Sequence, residues 1–130
     1  MPGFILIAIG GAIGSVGRYY ASRLIMLLSG GVFPLGTMFV NASGSILIGF
    51  LAALSAPDSR FFVSPQARLF FMTGICGGYT TFSTFSLETV ALLGDGQWIA
   101  ASTNAVGSVL LCLAAVWLGS ATAQLMGRSV

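Results

Sequence analysis

Four long apolar segments account for most of this 130-residue chain, at about residues 3–28, 35–54, 66–93 and 97–126. A helix needs about 20 residues to cross the hydrocarbon core of a bilayer, and each segment reaches that length. Because every backbone donor and acceptor must be paired within the hydrocarbon, the segments are predicted to be helices and not strands. The sequence therefore predicts an all-α integral membrane protein, with four transmembrane helices in a single membrane domain over residues 1–130.

Short polar connections separate the four segments. SGG followed by Pro34 closes the first segment, SAPDSR closes the second and GDG closes the third. Ser64 and Pro65 fit the cap and the first turn of the third helix. The opening residues, MPGFILIAIGG, lack the basic region of a cleaved secretory signal, so we interpret them as the start of a retained helix.

The chain offers little material for catalysis. Only 6% of its residues are charged, 56% are hydrophobic, and there is no histidine. The acids are Asp58, Glu88 and Asp95, which is a poor supply for general acid and base chemistry. Cys76 and Cys112 lie in apolar segments without the spacing of a zinc or redox site, and we interpret them as small hydrophobic residues. We expect neither an enzyme nor a nucleic-acid partner.

The arginines give only a slight preference for one topology. In a four-span arrangement Arg60, Arg68 and Arg128 lie towards one side of the membrane, and Arg18 and Arg23 lie near the other. Because the arginine excess normally sets orientation, three against two is compatible with insertion in both directions. A chain this small is expected to oligomerise, and dual insertion would allow an antiparallel homodimer. A tag-accessibility test that finds a single orientation would contradict this.

Glycine is abundant in the apolar segments. Gly10 and Gly14 form a GxxxG motif, and Gly3, Gly10 and Gly17 recur at heptad spacing. Small residues let membrane helices approach closely, so we interpret most of these glycines as packing positions in a compact bundle.

Polar side chains within the segments are informative because each is costly in lipid. Thr37, Asn41 and Ser45 recur every four residues and form one stripe along the second helix. A similar line on the fourth helix consists of Asn104, Ser108 and Cys112. Such side chains either bond between helices or face a watery path, and the amide of Asn41 offers two donors to an anion.

Arg18 lies about fifteen residues into the first helix. There an arginine either snorkels to the interface or reaches into a cavity within the protein. In the second case its charge would attract anions.

The third segment contains the unusual stretch GICGGYTTFSTFS at 74–86. Gly77 and Gly78, followed by two threonines, predict an unwound turn. Non-helical backbone at membrane depth is tolerated only where it is buried in protein or lines a site. Its freed carbonyls would bind cations, and its freed amides would favour anions.

Aromatic and hydroxyl residues follow this turn. Phe82 and Phe85 lie three residues apart and share a face, so they either pack in the core or present the positive edges of their rings to an anion. Ser83 and Thr84 add hydroxyl donors beside the rings. Glu88 is open to three interpretations: an interfacial carboxylate, a carboxyl group neutralised by burial, or a proton carrier.

Together these motifs closely resemble the signatures of the small bacterial fluoride channels, the family called Fluc or CrcB. The strings that carry the resemblance are GGAIGSVGRYY, GTMFVNASGSILIG and GICGGYTTFSTFS, one in each of the first three helices. The match spans all four helices in order and length, and TTFSTFS after a double glycine is highly specific.

The resemblance implies an antiparallel, dual-topology homodimer in the bacterial inner membrane, which lets cytoplasmic fluoride out passively through two pores. It implies one structural sodium ion at the dimer centre, held by main-chain carbonyls of Gly77 and Thr80 from both subunits. The implied fluoride pathway consists of Phe82, Phe85, Asn41, Ser83, Thr84, Ser108, Thr37, Arg18 and Glu88. The family often has a tyrosine in the fourth helix, where this chain has Asn104, and Ser108 fits that part of the track better.

Three alternatives stand beside the channel. A proton-coupled fluoride antiporter would use Glu88 as its carrier and would show a transport stoichiometry that responds to an imposed pH gradient. A small multidrug-type exporter needs a membrane-buried acid early in the chain, and no acid precedes Asp58. A structural membrane subunit without transport predicts that Phe82→Ile leaves every ion flux unchanged.

Overall fold

The computed structural model describes residues 1–57, 59 and 61–128, and throughout these residues the regular structure is helical. Arg60 and the side chain of Arg128, both predicted to lie towards one side of the membrane, are outside the described part, as are Asp58, Ser129 and Val130. The elements are α1 (Gly3–Ser29), α2 (Leu35–Leu54), α3 (Pro65–Arg68), a π-helix (Leu69–Cys76), α4 (Gly77–Tyr79), α5 (Phe82–Gly94) and α6 (Trp98–Arg128).

Three of these helices are long and apolar enough to cross a membrane: α1, α2 and α6. They occupy the segments predicted at 3–28, 35–54 and 97–126, so the protein is a multi-pass membrane protein. The segment predicted at 66–93 differs, because it is divided into α3, the π-helix, α4 and α5. Its start is as predicted, since Ser64 caps α3 by accepting a hydrogen bond from the amide of Ala67 at 3.2 Å.

The interruption of the third segment lies at Thr80 and Thr81, where the backbone is extended. The predicted unwound turn comprised Gly77, Gly78 and the two threonines after them. Only the threonines are extended, and both glycines have helical backbone in α4. Packing explains the second glycine. A Cβ atom on Gly78 would lie 2.5 Å from the carbonyl oxygen of Gly11, so glycine is needed there for a close helix approach and not for unusual backbone angles.

The packing interpretation of the GxxxG motif is confirmed. A Cβ atom on Gly10 would lie 2.5 Å from the carbonyl oxygen of Phe70, and one on Gly14 would collide with that of Ile75. Both contacts are with the π-helix, a rare conformation that is frequent at functional sites. Glycine on α1 therefore lets the backbone of the π-helix lie directly against it.

The helices α2 and α6 also approach each other backbone to backbone. A Cβ atom on Gly49 would collide with the carbonyl oxygen of Val116, and one on Gly119 with that of Ile46. Ser120 Oγ donates a hydrogen bond to the Gly49 carbonyl oxygen at 3.0 Å across the same contact. This closely packed pair of helices forms one side of the groove described below.

Candidate functional site

The interruption is held by the side chain of Asn41 on α2. The amide N–H of Thr81 donates to Asn41 Oδ1 at 2.7 Å, and Asn41 Nδ2 donates to the carbonyl oxygen of Thr81 at 2.9 Å. Both backbone groups of Thr81 are therefore paired, as the hydrocarbon environment requires. The predicted role of Asn41 as an anion donor is thus reduced to one of its two N–H groups, because the other binds Thr81.

Thr81 is the N-terminal cap residue of α5. Its Oγ1 accepts a hydrogen bond from the amide of Thr84 at 3.1 Å and lies 3.0 Å from Thr84 Oγ1 and 3.2 Å from Ser83 Oγ. The hydroxyls predicted as anion donors at Ser83 and Thr84 are thus clustered around the cap of the helix. Thr81 was not among the predicted site residues, although a threonine just before a helical run is a recognised cap signal.

Arg18 is partly buried and bonds to the interrupted backbone. Its Nη1 donates to the carbonyl oxygen of Thr80 at 3.3 Å, and Ser15 Oγ on the same helix donates to that of Gly78 at 3.4 Å. Of the two alternatives for Arg18, the structure supports the interior one. Its positive charge lies beside the interrupted backbone.

The carbonyl of Gly77 is left without its usual helical donor. In an uninterrupted α-helix the amide of Thr81 would donate to it, but that amide binds Asn41. Gly77 is also exposed on the surface of the single chain. The two carbonyls predicted to bind sodium therefore differ, since Gly77 lacks a helical donor and Thr80 accepts from Arg18.

A groove of about 380 Å³ lies between α2, α5, α6 and the interruption. Of the predicted site residues it is lined by Asn41, Phe82, Phe85, Ser108, Gly77 and Thr80. The remaining predicted residues, which are Thr37, Arg18, Ser83, Thr84 and Glu88, lie outside its lining. The groove thus unites two rings, an amide, a hydroxyl and the N-terminal end of α5, which carries a partial positive charge.

Phe82 and Phe85 form a tilted aromatic pair in the first turn of α5. Their ring centroids lie 5.3 Å apart with an angle of 46° between the ring planes. Phe82 is 76% exposed, so core packing does not explain its position in the single chain.

Glu88 lies on α5 and pairs with α2. Thr37 Oγ1 donates to Glu88 Oε1 at 2.8 Å, while Oε2 is buried and has no hydrogen-bond partner among the described residues. The hydroxyl of Thr37 is therefore used inside the bundle, and Glu88 is not a freely hydrated surface carboxylate.

On the fourth predicted helix, now α6, Asn104 is almost completely buried. Its Nδ2 donates to Thr89 Oγ1 on α5 at 2.8 Å, which supports the interhelical interpretation of this polar line. Thr89 was not among the predicted residues. Cys76 and Cys112 both line the groove and are free thiols, in accord with their assignment as small hydrophobic side chains.

Comparison with known proteins places these features in one family. The family model described as CrcB-like protein, Camphor Resistance (CrcB), matches residues 5–120. A protein of Paramagnetospirillum magneticum named fluoride-specific ion channel FluC is 52% identical over 125 residues, which is 96% of this chain and 98% of the relative. Relatives with the same name come from Opitutus terrae, with 54% identity over 116 residues (89% of this chain, 88% of the relative), and from Rhodospirillum rubrum, with 50% identity over 127 residues (98% of each).

The named relatives are ion channels and not enzymes. The three motifs that carry the resemblance lie within the matched residues, and those of the second and third predicted helices line the groove. This chain belongs to the CrcB-like family.

Proposed function

We propose that this protein is a fluoride-selective channel of the bacterial inner membrane, through which fluoride leaves the cytoplasm passively. The choice of fluoride as the ion follows the names of its relatives. The observation that carries the proposal is the groove, where the Phe82 and Phe85 rings, the Asn41 amide and the Ser108 hydroxyl meet at the start of α5.

These groups suit a small anion that must move on. Phenyl ring edges, an amide N–H and a helix N-terminus are each weak donors without a full charge. Many weak donors can replace the hydration shell of fluoride without trapping it. A narrow path of this kind would exclude the larger chloride ion. From the groove, the path continues in our proposal past Ser83 and Thr84, with Arg18 at one end and Thr37 with Glu88 at the other.

We further propose that two chains assemble as an antiparallel homodimer with two pores. In the single chain, the Phe82 ring and Gly77 are both exposed beside the groove, where a second subunit would enclose the path. The small arginine imbalance is compatible with insertion in both orientations.

The carbonyls of Gly77 and Thr80 fit a sodium ion. Both are hard oxygen donors at an interruption of a membrane helix, which is where sodium is held in other membrane proteins. Gly77 has lost its helical donor, and the Thr80 oxygen keeps a second lone pair beside its bond to Arg18. When bound, sodium would supply a fixed positive charge beside the anion path. Exchange of sodium for a large organic cation should lower the melting temperature of the dimer, and an unchanged melting temperature would contradict this site.

Substitution of Phe82 tests the proposed channel directly. Because the ring is mostly exposed in the single chain, Phe82→Ile should leave the helical bundle folded while removing the ring edge from the path. We expect fluoride efflux from proteoliposomes to fall by at least about tenfold, the loss that corresponds to one aromatic contact of about 1.4 kcal/mol.

The matched control is Phe4→Ile, the same change at a residue of α1 that is 72% exposed and outside the groove. Its efflux should equal that of the unmodified protein. Equal efflux from the Phe82→Ile and Phe4→Ile proteins would refute a role for the ring in conduction.

A further inference from the structure

The buried side-chain amide of Asn104 connects α5 and α6, the helices on two sides of the groove. Asn104 on α6 is 1% exposed and does not line the groove. Its Nδ2 donates to Thr89 Oγ1 on α5 at 2.8 Å, and its Oδ1 accepts a hydrogen bond from Ser108 Oγ at 3.2 Å. Both ends of the amide are therefore engaged, one on each helix.

Thr89 extends this link to the backbone of the groove. Its Oγ1 donates to the carbonyl oxygen of Phe85 at 2.7 Å. Since a hydroxyl has a single hydrogen, Thr89 can receive the Asn104 bond and make its own bond only in this direction. Three hydrogen bonds thus run in one sense, from Ser108 through Asn104 and Thr89 to Phe85.

The two ends of this series are the residues that face the groove. Ser108 and Phe85 line it from α6 and α5 respectively, while Asn104 and Thr89 lie behind them. We propose that Asn104 and Thr89 are positioning residues that hold the Phe85 ring and the Ser108 side chain at a fixed spacing across the ion path. Neither touches the ion, and the consequence for fluoride rests on the proposed function.

The test for flux uses replacements that keep shape and remove the bonds. Thr89→Val removes the hydroxyl, and Asn104→Leu removes the amide. Each should lower the fluoride efflux rate by about threefold to about tenfold, the range expected for an interhelical hydrogen bond in a membrane protein. Because both variants break the bond between Asn104 and Thr89, their losses should not multiply in the double variant.

Two further variants separate positioning from general packing. Thr89→Ser keeps a hydroxyl, so its fluoride efflux rate should equal that of the unmodified protein. Thr122→Val is the matched control, because Thr122 on α6 makes the same local bond to its own helix, to the Leu118 carbonyl oxygen at 2.8 Å, but is exposed. It should leave efflux unchanged.

A second readout does not depend on ion flux. With 4-fluorophenylalanine at position 85, the ¹⁹F resonance of the full-length protein in detergent should shift in Thr89→Val and Asn104→Leu but not in Thr122→Val. An unshifted resonance in Thr89→Val would overturn the positioning role, as would efflux losses that multiply in the double variant. If Asn104→Leu fails to fold, Thr89→Val decides alone. Failure of the unmodified protein to conduct fluoride would overturn the proposed function, while the resonance would still decide the positioning role.

Discussion

Asn41→Leu should reduce fluoride flux by roughly 100-fold and should also lower the melting temperature of the protein. The substitution leaves both the N–H and the C=O of Thr81 without the partners that they have in the folded chain. An unsatisfied buried group costs about 1–3 kcal/mol, so two of them cost about 2–6 kcal/mol, of which about 3 kcal/mol is a conservative value. Since about 1.4 kcal/mol is a factor of ten, the population with an ordered interruption falls by roughly two powers of ten.

Efflux assays and thermal unfolding in detergent measure the two parts of this prediction. Phe39→Leu is a suitable control, because Phe39 lies on the same helix, half exposed and outside the groove. The melting temperature separates two roles for Asn41. If the amide served only as a donor to the ion, Asn41→Leu would lose flux and keep its melting temperature, which would contradict the bracing of Thr81.

Gly119→Ala should strongly destabilise the fold, whereas Gly107→Ala on the same helix should stabilise it slightly. A Cβ atom at Gly119 would collide with the carbonyl oxygen of Ile46 and lie 2.9 Å from the amide nitrogen of Phe50, both backbone atoms that cannot turn aside. Overpacking typically costs about 1–3 kcal/mol, and backbone contacts place this substitution at the upper end.

Gly107→Ala should have the opposite effect on stability. The nearest atom to an added Cβ would be Met38 Cε at 4.0 Å, which is ordinary contact. Alanine is favoured over glycine in a helix by roughly 0.8–1 kcal/mol, so the gain is not offset by a clash. Thermal unfolding of the two variants measures the difference. Equal melting temperatures would show that α2 and α6 do not meet backbone to backbone.

The long helices could be predicted from the sequence because one physical demand dominates them. A continuous apolar run must pair its own backbone in lipid, and this fixes α1, α2 and α6 by length alone. The position of the interruption in the third segment could not be predicted in the same way. The double glycine and the threonines after it indicated unwinding, but Gly78 serves a contact with Gly11, and the extended residue Thr81 is held by Asn41. That partner lies 40 residues away along the chain and becomes a neighbour only when the bundle forms.

Some residues of the site could likewise be predicted from the sequence, and others could not. Asn41, Phe82, Phe85 and Ser108 stood out because polar or paired aromatic residues at helical spacing are unusual in lipid, and the groove brings them together. Thr81 could have been found from the preference for threonine at a helix cap. Thr89 could not, since a threonine that bonds its own helix is ordinary, and its importance comes from Asn104 across the interface.

The most direct test of fluoride conduction is efflux from liposomes that carry the purified protein and are loaded with potassium fluoride. A fluoride electrode follows release after a potassium ionophore is added, and chloride-loaded vesicles are measured in parallel. A fluoride channel predicts rapid fluoride efflux, with chloride efflux close to that of protein-free vesicles. Comparable release of both anions from the folded protein, or fluoride release no faster than from protein-free vesicles, would contradict it.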